Sequence, residues 1–396
     1  MRALKYISWG DNTGYAVAAK SYVCALARAG VDLTWTPMLT GQGLYEIYTN
    51  TEWSNPELAA VCNRETNYDT VLIHTVPEYY PALVEQERRA GRRIFGYTVW
   101  ELERLPDHWP AILNSLDGVI VPCRWNVQVF RDSGVTVPIH VVPHLSQFEG
   151  LPPPKAEALT AVRQRIGSAL EKKPFVFYTV GFWSNRKAPY LALEAYWRAF
   201  QADEPVLMVI KTCAKDITRW HRHWRNAFRL RHPSPQQTVA GMALRQGRAA
   251  PAVVIADESL SDEEIHALHE IGDCFVSLTR AEGWGLGAFE ASWLGRPVVM
   301  TGYGGQLDFL DPARSWLVDH KMVPVHEPTW SANYRPNDCW ADPSVAEAAL
   351  YMRAIYEEPA QARGKAADLA HDLHQKFSQD AVVSALLCAL KSGELA

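Results

Sequence analysis

The sequence of 396 residues lacks several features that would assign it to a common class of protein. It has no CxxC or DxD motif, no low-complexity tract, and no apolar run near the roughly 20 residues that span a bilayer. Its seven cysteines are scattered, as is typical of reduced, buried thiols in a cytosol-like compartment. The first residues lack the apolar core of a signal peptide. We therefore expect a soluble, cytoplasmic protein.

The charge of the sequence is modest as well. The formal net charge is −5 at pH 7, and charged residues make up 21% of the chain. Because phosphate binding requires a basic field, this balance argues against nucleic acid as an obligatory partner. The length, together with a hydrophobic content of 48%, favours a globular protein of two domains.

Short apolar runs of strand length alternate with helical patterns along the whole sequence. The strand-like runs are ALKYIS, DLTWTP, TVLIHT, RIFGYTVW, GVIVPC and IHVVPH in the first half, and FVFYTVG, VLMVIKT, AVVIAD, CFVSLT, PVVMT and SWLVD in the second. Helical patterns lie between them, such as residues 14–29, which end before Gly30, and a segment that starts with a capping box at Ser261 and Glu264. The alternation predicts an α/β fold with two doubly wound parallel sheets.

A proline-rich stretch, residues 145–158, separates the two halves. Three consecutive prolines, residues 152–154, can continue neither a helix nor an inner strand. We predict one domain over residues 1–150, a second over residues 151–370, and a C-terminal helical segment over residues 371–396 that packs back toward the first domain. Ligands of such sheets bind at the carboxyl ends of the strands, so two facing sheets would enclose a cleft.

The stretch RAEGWGLGAFEASWLGRPVVMTGYGG, residues 280–305, combines glutamates with closely spaced glycines. It predicts a glycine-rich turn after a strand, then a helix, then the next strand. The first turn of that helix offers unpaired backbone N–H groups, and glycines allow an anion to approach them. Glu282 in the turn and Glu290 in the helix could accept hydrogen bonds from hydroxyls at the two ends of one ligand. A sugar, a diphosphate and a ribose in a row describe a nucleotide sugar.

The form EGWGLGAFEA, followed by a glycine and PVV, resembles the signature of family-4-type retaining glycosyltransferases, which have the GT-B fold of two Rossmann-like domains. Further segments resemble the same family in the expected order, namely GDNTGYAVAAKSYVCALARAG, GYTVWELERLP, VIVPCRWNVQVF, NRKAPYLALEAYWRAF and SDEEIHALHEIGDCFVSLTRAEGWG. The resemblance implies that the first domain binds the acceptor, through variable loops such as residues 38–55, and that the second binds the nucleotide sugar.

The resemblance also implies a role for each matching position. Glu282 would contact the transferred sugar, and Glu290 would hold the ribose hydroxyls. Glu101 stands where relatives often carry a histidine, and it is, with Glu282, a candidate catalytic residue that binds a sugar or acceptor hydroxyl. The remaining candidates would bind the donor, and they are Gly14, Tyr15, Arg186, Lys187, Lys211, Gly283, Trp284, Gly285, Leu286 and Gly287.

One departure from the family pattern affects the charge of the site. Gly181 is followed by Phe182, where many relatives have an arginine, and Lys211 is positioned to supply the missing charge. Because the sequence has no DxD pair, a divalent metal has no obvious seat, and we expect no cofactor. Basic side chains and backbone amides would then stabilise the charge that develops on the diphosphate leaving group.

The sequence therefore predicts a metal-independent retaining glycosyltransferase that uses a donor of the GDP-mannose, UDP-glucose or UDP-N-acetylglucosamine type. The acceptor would be a glycan, a lipid-linked glycan, a protein or a small molecule, with polysaccharide biosynthesis as the default role. Two alternatives stay open, a sugar-nucleotide epimerase on the same fold and a non-catalytic nucleotide-sugar-binding protein. The oligomeric state is not predicted.

A basic segment with an aromatic stripe, RWHRHWRNAFRLRH at residues 219–232, allows two interpretations. The favoured one is an amphipathic helix that packs its aromatic side chains on the sheet. The other is a surface for an anionic acceptor or for peripheral contact with the inner face of a membrane.

Overall fold

The computed structural model describes residues 1–41, 44–49, 52–219, 233–326, 333–335 and 337–392. The chain divides into two compact units. The first runs from Met1 to Glu149 and also includes the chain from Gln375 onward, and the second comprises Gly150–His374. Each unit is built around its own sheet, mostly parallel in the first unit and wholly parallel in the second.

The first unit contains a seven-stranded sheet in the order β3-β2-β1-β4-β5-β6-β7. Its strands are β1 Leu4–Trp9, β2 Leu33–Gly41, β3 Leu44–Ile47, β4 Thr70–His74, β5 Arg93–Tyr97, β6 Gly118–Val121 and β7 Ile139–Val141. Every neighbouring pair is parallel except β2 and β3, which are antiparallel. The strand order reverses at β1, so the carboxyl ends of β1 and β4 form a topological switch point.

Helices connect these strands and cover the sheet. They are α1 Gly14–Arg28, α2 Pro56–Val61, α3 Tyr80–Arg89, α4 Trp109–Leu113 and α5 Arg124–Asp132. The hydroxyl of Thr13 caps the start of α1 by accepting from the N–H of Ala16. Beyond its end, Gly30 has a φ of +73°, which confirms the predicted left-handed glycine.

The second unit contains a six-stranded, wholly parallel sheet in the order β10-β9-β8-β11-β12-β13. Its strands are β8 Phe175–Val180, β9 Val206–Lys211, β10 Ala252–Ala256, β11 Cys274–Ser277, β12 Val298–Thr301 and β13 Trp316–Val318. Here the order reverses at β8, so the switch point lies between β8 and β11. A separate antiparallel pair consists of β14 His320–Pro324 and β15 Cys339–Pro343.

The remaining helices follow in chain order. They are α6 Ala156–Ile166, α7 Pro189–Ala199, α8 Pro235–Arg245, α9 Asp262–Ile271, α10 Leu286–Trp293, α11 Val345–Glu357, α12 Pro359–Lys376 and α13 Gln379–Lys391. The predicted capping box at the start of α9 is confirmed, because Ser261 and Glu264 bond reciprocally. The last helix, α13, belongs to the first unit and packs against α1.

Each strand predicted from the apolar runs is present, and the prediction of two doubly wound parallel sheets is confirmed. Two features of the structure differ from what the sequence predicts. Part of residues 38–55, interpreted as a variable loop, belongs to β2 and β3, and the pair β14–β15 is not predicted. Strand β3 lies at the edge of its sheet with Leu44 and Ile47 exposed, and Met322 is exposed on β14. Strands without a buried face lack the alternation that reveals a strand in a sequence.

Residues 220–232, which make up nearly all of the basic aromatic segment, lie outside the described residues. Both interpretations of that segment stay predictions. No helix in the described ranges combines the length and the apolar character needed to cross a membrane.

A close approach of backbone to an aromatic ring fixes the path into β11. Gly272 lies between α9 and β11, and a Cβ atom there would stand 2.2 Å from Cδ1 of Tyr178 in β8. The ring of Tyr178 is fully buried, and its hydroxyl is 2.8 Å from Nδ1 of His269. Because the ring is held on several sides, only glycine fits at this position.

We expect Gly272→Ala to reduce the free energy of unfolding by about 1–3 kcal/mol, because the added methyl group overpacks the core. Gly364→Ala is the matched control, since a Cβ atom at that exposed position in α12 meets nothing within 4 Å. The control should raise stability by about 0.5–1 kcal/mol, the usual helical preference for alanine over glycine. Denaturant unfolding measures both variants, and equal stabilities would contradict the close approach.

Candidate active site

A shallow hollow opens at the carboxyl edge of the second sheet, at the switch point between β8 and β11, and its space together with the adjoining solvent is about 380 Å³. The ends of β8 and β11, the loop after β8 and the first turn of α10 line it. The lining is partly polar and partly apolar, and it includes Thr179, Lys187, Ser277, Glu282, Phe182, Phe275 and Met300. An α/β sheet binds its ligands at this kind of position.

Glycines shape the start of α10. Gly285 immediately precedes the helix, and its φ of +92° lies in the left-handed region that favours glycine. A Cβ atom at Gly287 would stand 3.0 Å from Cζ of Phe275 on β11, so glycine also lets the helix approach the strand closely. The first turn of α10, which borders the hollow, carries N–H groups without partners inside the helix and the positive end of the helix dipole.

Glu282 brings a carboxylate into the hollow between two cations. Its side chain is only 9% exposed, and Nζ of Lys187 lies 2.5 Å from Oε1. Nη1 of Arg186 lies 3.5 Å from the second oxygen, Oε2. Thr279 completes the cluster by donating its hydroxyl to Oε1 at 3.0 Å. The carboxylate therefore has a charged or polar partner on each oxygen.

The two cations decide the charge state of this carboxylate. Burial alone would raise the pKa of Glu282, but the charges of Lys187 and Arg186 outweigh it and hold that pKa below its usual value. Glu282 is thus ionised at neutral pH. The side chains of Lys187 and Arg186 are 26% and 24% exposed, and Lys187 lies on the lining of the hollow. A cation is therefore within reach of an anionic ligand.

Backbone contacts hold the two loops of this cluster together. The N–H of Arg280 donates to the carbonyl of Arg186 at 2.7 Å, and Nη1 of Arg186 donates to the carbonyl of Ala281 at 2.7 Å. The carbonyl of Glu282 accepts from the N–H of Gly305 at 2.9 Å. The loop after β8 and the loop after β11 thus form one cross-linked assembly next to α10.

The other donor-binding candidates of the second unit are less directly placed. Glu290 lies in the second turn of α10, is 3% exposed, and is not among the residues that line the hollow. Lys211 ends β9, and its Nζ donates to the carbonyl of Thr212 at 3.0 Å. Burial lowers the pKa of Lys211. The roles of Glu290 toward a ribose and of Lys211 toward a diphosphate stay predictions.

Trp284 is a core side chain. It is 2% exposed and packs against Phe289 and Phe309, with ring centroids 5.3 Å and 5.0 Å away. Its indole anchors the turn. Trp284, Gly283 and Leu286 are not among the residues that line the hollow, and their roles toward a donor stay predictions.

Several residues of the cluster and its lining are not among the sequence-based candidates, and two of them stand out. Thr279 bonds the carboxylate of Glu282, and its position three residues before that glutamate in the same turn is a signal that could have indicated it. Phe182 is 53% exposed on the lining of the hollow. In the sequence it is notable only as the residue that replaces an arginine.

Comparisons with solved structures identify the architecture, although no family model and no curated protein matches the sequence. Sucrose-phosphate synthase from Thermosynechococcus elongatus matches with a TM-score of 0.67 and 14% identity over 100% of this chain and 99% of its own. The E. coli structure described as trehalose-6-phosphate bound with UDP-2-fluoro glucose matches with a TM-score of 0.62 and 12% identity. The match covers 98% of this chain and 99% of that structure. The chain has the GT-B fold.

A third similar structure is longer than this chain. S. aureus TarM, in complex with fondaparinux, α-GlcNAc-glycerol and UDP, matches with a TM-score of 0.57 and 13% identity over 82% of this chain. The chain spans 55% of the length of TarM. At these identities the likeness shows the GT-B fold alone, and the chemistry has to be argued from the site.

The candidates in the first unit of this GT-B protein lie at the carboxyl edge of its sheet. Gly14 is the first residue of α1 and is exposed. The next residue, Tyr15, has its hydroxyl 3.0 Å from the carbonyl of Val99 and from Oγ1 of Thr98. Glu101 is half-buried in the same loop after β5. The structure thus brings Tyr15 to the loop that carries Glu101, and the roles of these residues toward a ligand stay predictions.

In the part of the chain that the structure describes, no group of three or more histidine, cysteine, aspartate or glutamate side chains is arranged to hold a metal ion. Metal independence remains a prediction from the sequence.

We expect Lys187→Met to reduce the free energy of unfolding at pH 7 by about 3 kcal/mol, because Glu282 would stay buried without its closest cation. Glu282→Gln in the same background should recover most of the loss, since no charge is then left buried. Arg89→Met, which removes the exposed pair with Glu85, is the control and should change stability by less than about 1 kcal/mol. Denaturant unfolding measures these stabilities. If Lys187→Met and Arg89→Met lost equal amounts of stability, the result would argue against a buried pair at Glu282.

The free energy of unfolding should change with pH in opposite directions in the native protein and in Lys187→Met. In the native protein the lowered pKa of Glu282 contributes stability above the pKa of the unfolded chain, and this is lost as the pH falls through the folded value. In Lys187→Met burial should dominate and raise that pKa, so the deficit of the variant should shrink as the pH falls from 7 to 5. A deficit that is constant over this range would contradict the assignment.

Proposed function

We propose that this protein is a glycosyltransferase that moves a sugar from a nucleotide diphosphate sugar to an acceptor hydroxyl, with retention of the anomeric configuration. The observation that carries the proposal is the hollow in which the Glu282–Lys187 pair meets the first turn of α10. This hollow combines donors for a diphosphate with an acceptor for sugar hydroxyls. The GT-B fold supports the same class of reaction.

The diphosphate of the donor would bind against the first turn of α10, where backbone N–H groups are free of helical partners. Lys187, on the lining, and Arg186, beside it, would neutralise its charge. Breaking the bond between the anomeric carbon and the phosphate oxygen places further negative charge on this group. Fixed cations and amides therefore stabilise the transition state more than the bound donor. We propose that these groups act without a metal ion.

The carboxylate of Glu282 would accept hydrogen bonds from hydroxyls of the transferred sugar. It is ionised and is oriented by Thr279 and Lys187, so it is preorganised for charge-assisted hydrogen bonds. Lys187 would then be shared between Glu282 and the diphosphate. The acceptor oxygen would attack the anomeric carbon from the side on which the diphosphate leaves, as retention without a covalent intermediate requires. Its hydroxyl proton would pass to the departing phosphate oxygen on that side.

The similar structures suggest which donors to test first. TarM was solved with UDP, and the E. coli structure contains UDP-2-fluoro glucose. We therefore propose a uridine diphosphate sugar as the first candidate, with GDP-mannose as the alternative. The second unit would bind this donor, and the first unit would bind the acceptor.

A thermal-shift panel of UDP-glucose, UDP-N-acetylglucosamine and GDP-mannose tests the proposal. A ligand at a hundred times its dissociation constant adds about 2.7 kcal/mol of stability, which is readily measured. Product analysis without acceptor then separates the alternatives, because a transferase gives slow hydrolysis and an epimerase gives a new nucleotide sugar. The absence of a shift with every nucleotide sugar would contradict the proposed function.

The two glutamates should respond differently to substitution. Glu290→Gln should weaken donor binding by about 10–150-fold, which corresponds to a charge-assisted hydrogen bond of about 1.5–3 kcal/mol. Glu282→Gln should mainly lower kcat, because its contact to the reacting sugar strengthens in the transition state. Titration calorimetry and initial rates measure these effects. Glu157→Gln, an exposed glutamate in α6, is the control, and wild-type activity of both test variants would refute the site.

A further inference from the structure

The switch point of the first sheet has the position of a ligand site. The strand order reverses between β1 and β4, as it does between β8 and β11 in the second unit, where the hollow lies. The loops that follow β1 and β4 border the crevice at this point. Ligands of α/β sheets bind in such crevices, outside the carboxyl ends of the strands.

Partly exposed aromatic rings meet at this switch point. Trp9 ends β1 and stacks on Tyr45 of β3, with ring centroids 4.2 Å apart and an angle of 10° between the ring planes. Tyr79, in the 3₁₀ turn after β4, stands edge-on to both rings, at 6.0 Å and 5.8 Å. Tyr15 lies 5.3 Å from Trp9. A cluster of half-buried rings at the ligand edge of a sheet provides flat apolar surface with a defined orientation.

A carboxylate beside these rings is held in place by two donors. Oε1 of Glu78 accepts from Nε1 of Trp109 at 2.8 Å and lies 3.0 Å from Nε2 of His108. The side chain of Glu78 is 33% exposed. Within the described residues, its second oxygen accepts no hydrogen bond from the protein. One oxygen thus fixes the side chain, and the other remains available to a ligand.

The loop that carries Glu101 is fixed as well. The hydroxyl of Tyr15 accepts from the N–H of Val99 at 3.2 Å and donates to its carbonyl at 3.0 Å. Asn126, which is fully buried, donates to the carbonyl of Trp100 at 2.7 Å and accepts from its N–H at 3.4 Å. The backbone N–H and carbonyl groups of both residues before Glu101 are therefore held by side chains.

Two carboxylates lie near the hydroxyl of Tyr15. Burial raises the pKa of Tyr15, and the charges of Glu101 and Glu78 raise it further. Asp11, in the loop after β1, adds a third carboxylate, whose oxygens accept from the hydroxyls of Thr13 and Tyr45. The switch point therefore combines aromatic surface with negative charge.

We propose that this crevice of the first unit is a binding site for a carbohydrate that carries no phosphate, formed by Trp9, Tyr45, Tyr79 and Glu78. Aromatic faces carry partial negative charge and pack against the C–H face of a pyranose ring, and the carboxylates accept from its hydroxyls. The carboxylates of Glu78 and Asp11 disfavour a phosphorylated sugar. Only the assignment of this carbohydrate as the acceptor rests on the proposed function.

Saturation-transfer NMR on the full chain tests the site directly, with the methyl α-glycosides of glucose, mannose, galactose and N-acetylglucosamine as probes. At least one glycoside should bind, and Trp9→Ala and Tyr79→Ala should each abolish its signal. Trp9→Phe should retain it, because a ring is kept. Glu78→Gln should weaken binding about tenfold, whereas Glu85→Gln, an exposed glutamate in α3, should not. Circular dichroism and the unfolding midpoint confirm that each variant is folded.

Several results would overturn this site. One is a glycoside signal that is unchanged in folded Trp9→Ala, Tyr79→Ala and Glu78→Gln. Another is stronger displacement of the glycoside by glucose 6-phosphate or by uridine than by a second glycoside. Nucleotide-sugar binding, measured on the same samples, separates the two proposals. Donor binding without glycoside binding refutes this site alone, and glycoside binding without donor binding refutes the transferase function alone.

Discussion

Glu282 and Lys187 approach to 2.5 Å in a place where the carboxylate is almost fully buried. An isolated carboxylate would be neutral or strongly destabilising there. The pair, with Arg186 on the other oxygen, keeps the charge and joins the loop after β8 to the loop after β11. Since α10 begins four residues after Glu282, the same contact sets the position of the helix start beside the hollow. The candidate site thus depends on this one buried ion pair.

Topology explains where such a cluster can form. In both sheets the strand order reverses once, and the residues with unusual chemistry collect at the carboxyl ends on either side of the reversal. In the second unit these residues are cations, a carboxylate and glycines, which suit an activated, anionic sugar. In the first unit they are aromatic rings and carboxylates, which suit an uncharged one. The proposed transfer of a sugar from an anionic donor to an uncharged acceptor would use both kinds of surface.

Much of this arrangement is predictable because its signals are local. Apolar runs mark the inner strands, a reciprocal cap marks the start of α9, and glycine spacing marks the turn before α10. The pairing of Lys187 with Glu282 is not local, since 95 residues separate them, and the family resemblance assigns them only to different parts of the same donor. The edge strand β3 and the burial of the Trp284 indole escape prediction, because each depends on what the tertiary structure places beside it.

The central claim is that a nucleotide diphosphate sugar binds in the hollow between Lys187 and the first turn of α10. A crystal structure of the protein soaked with a nucleotide sugar at saturating concentration tests it most directly. The account predicts diphosphate oxygens within hydrogen-bonding distance of Nζ of Lys187 and of the backbone amides at the start of α10, with a sugar hydroxyl on Glu282. A nucleotide bound elsewhere, or a hollow without ligand density, would contradict it.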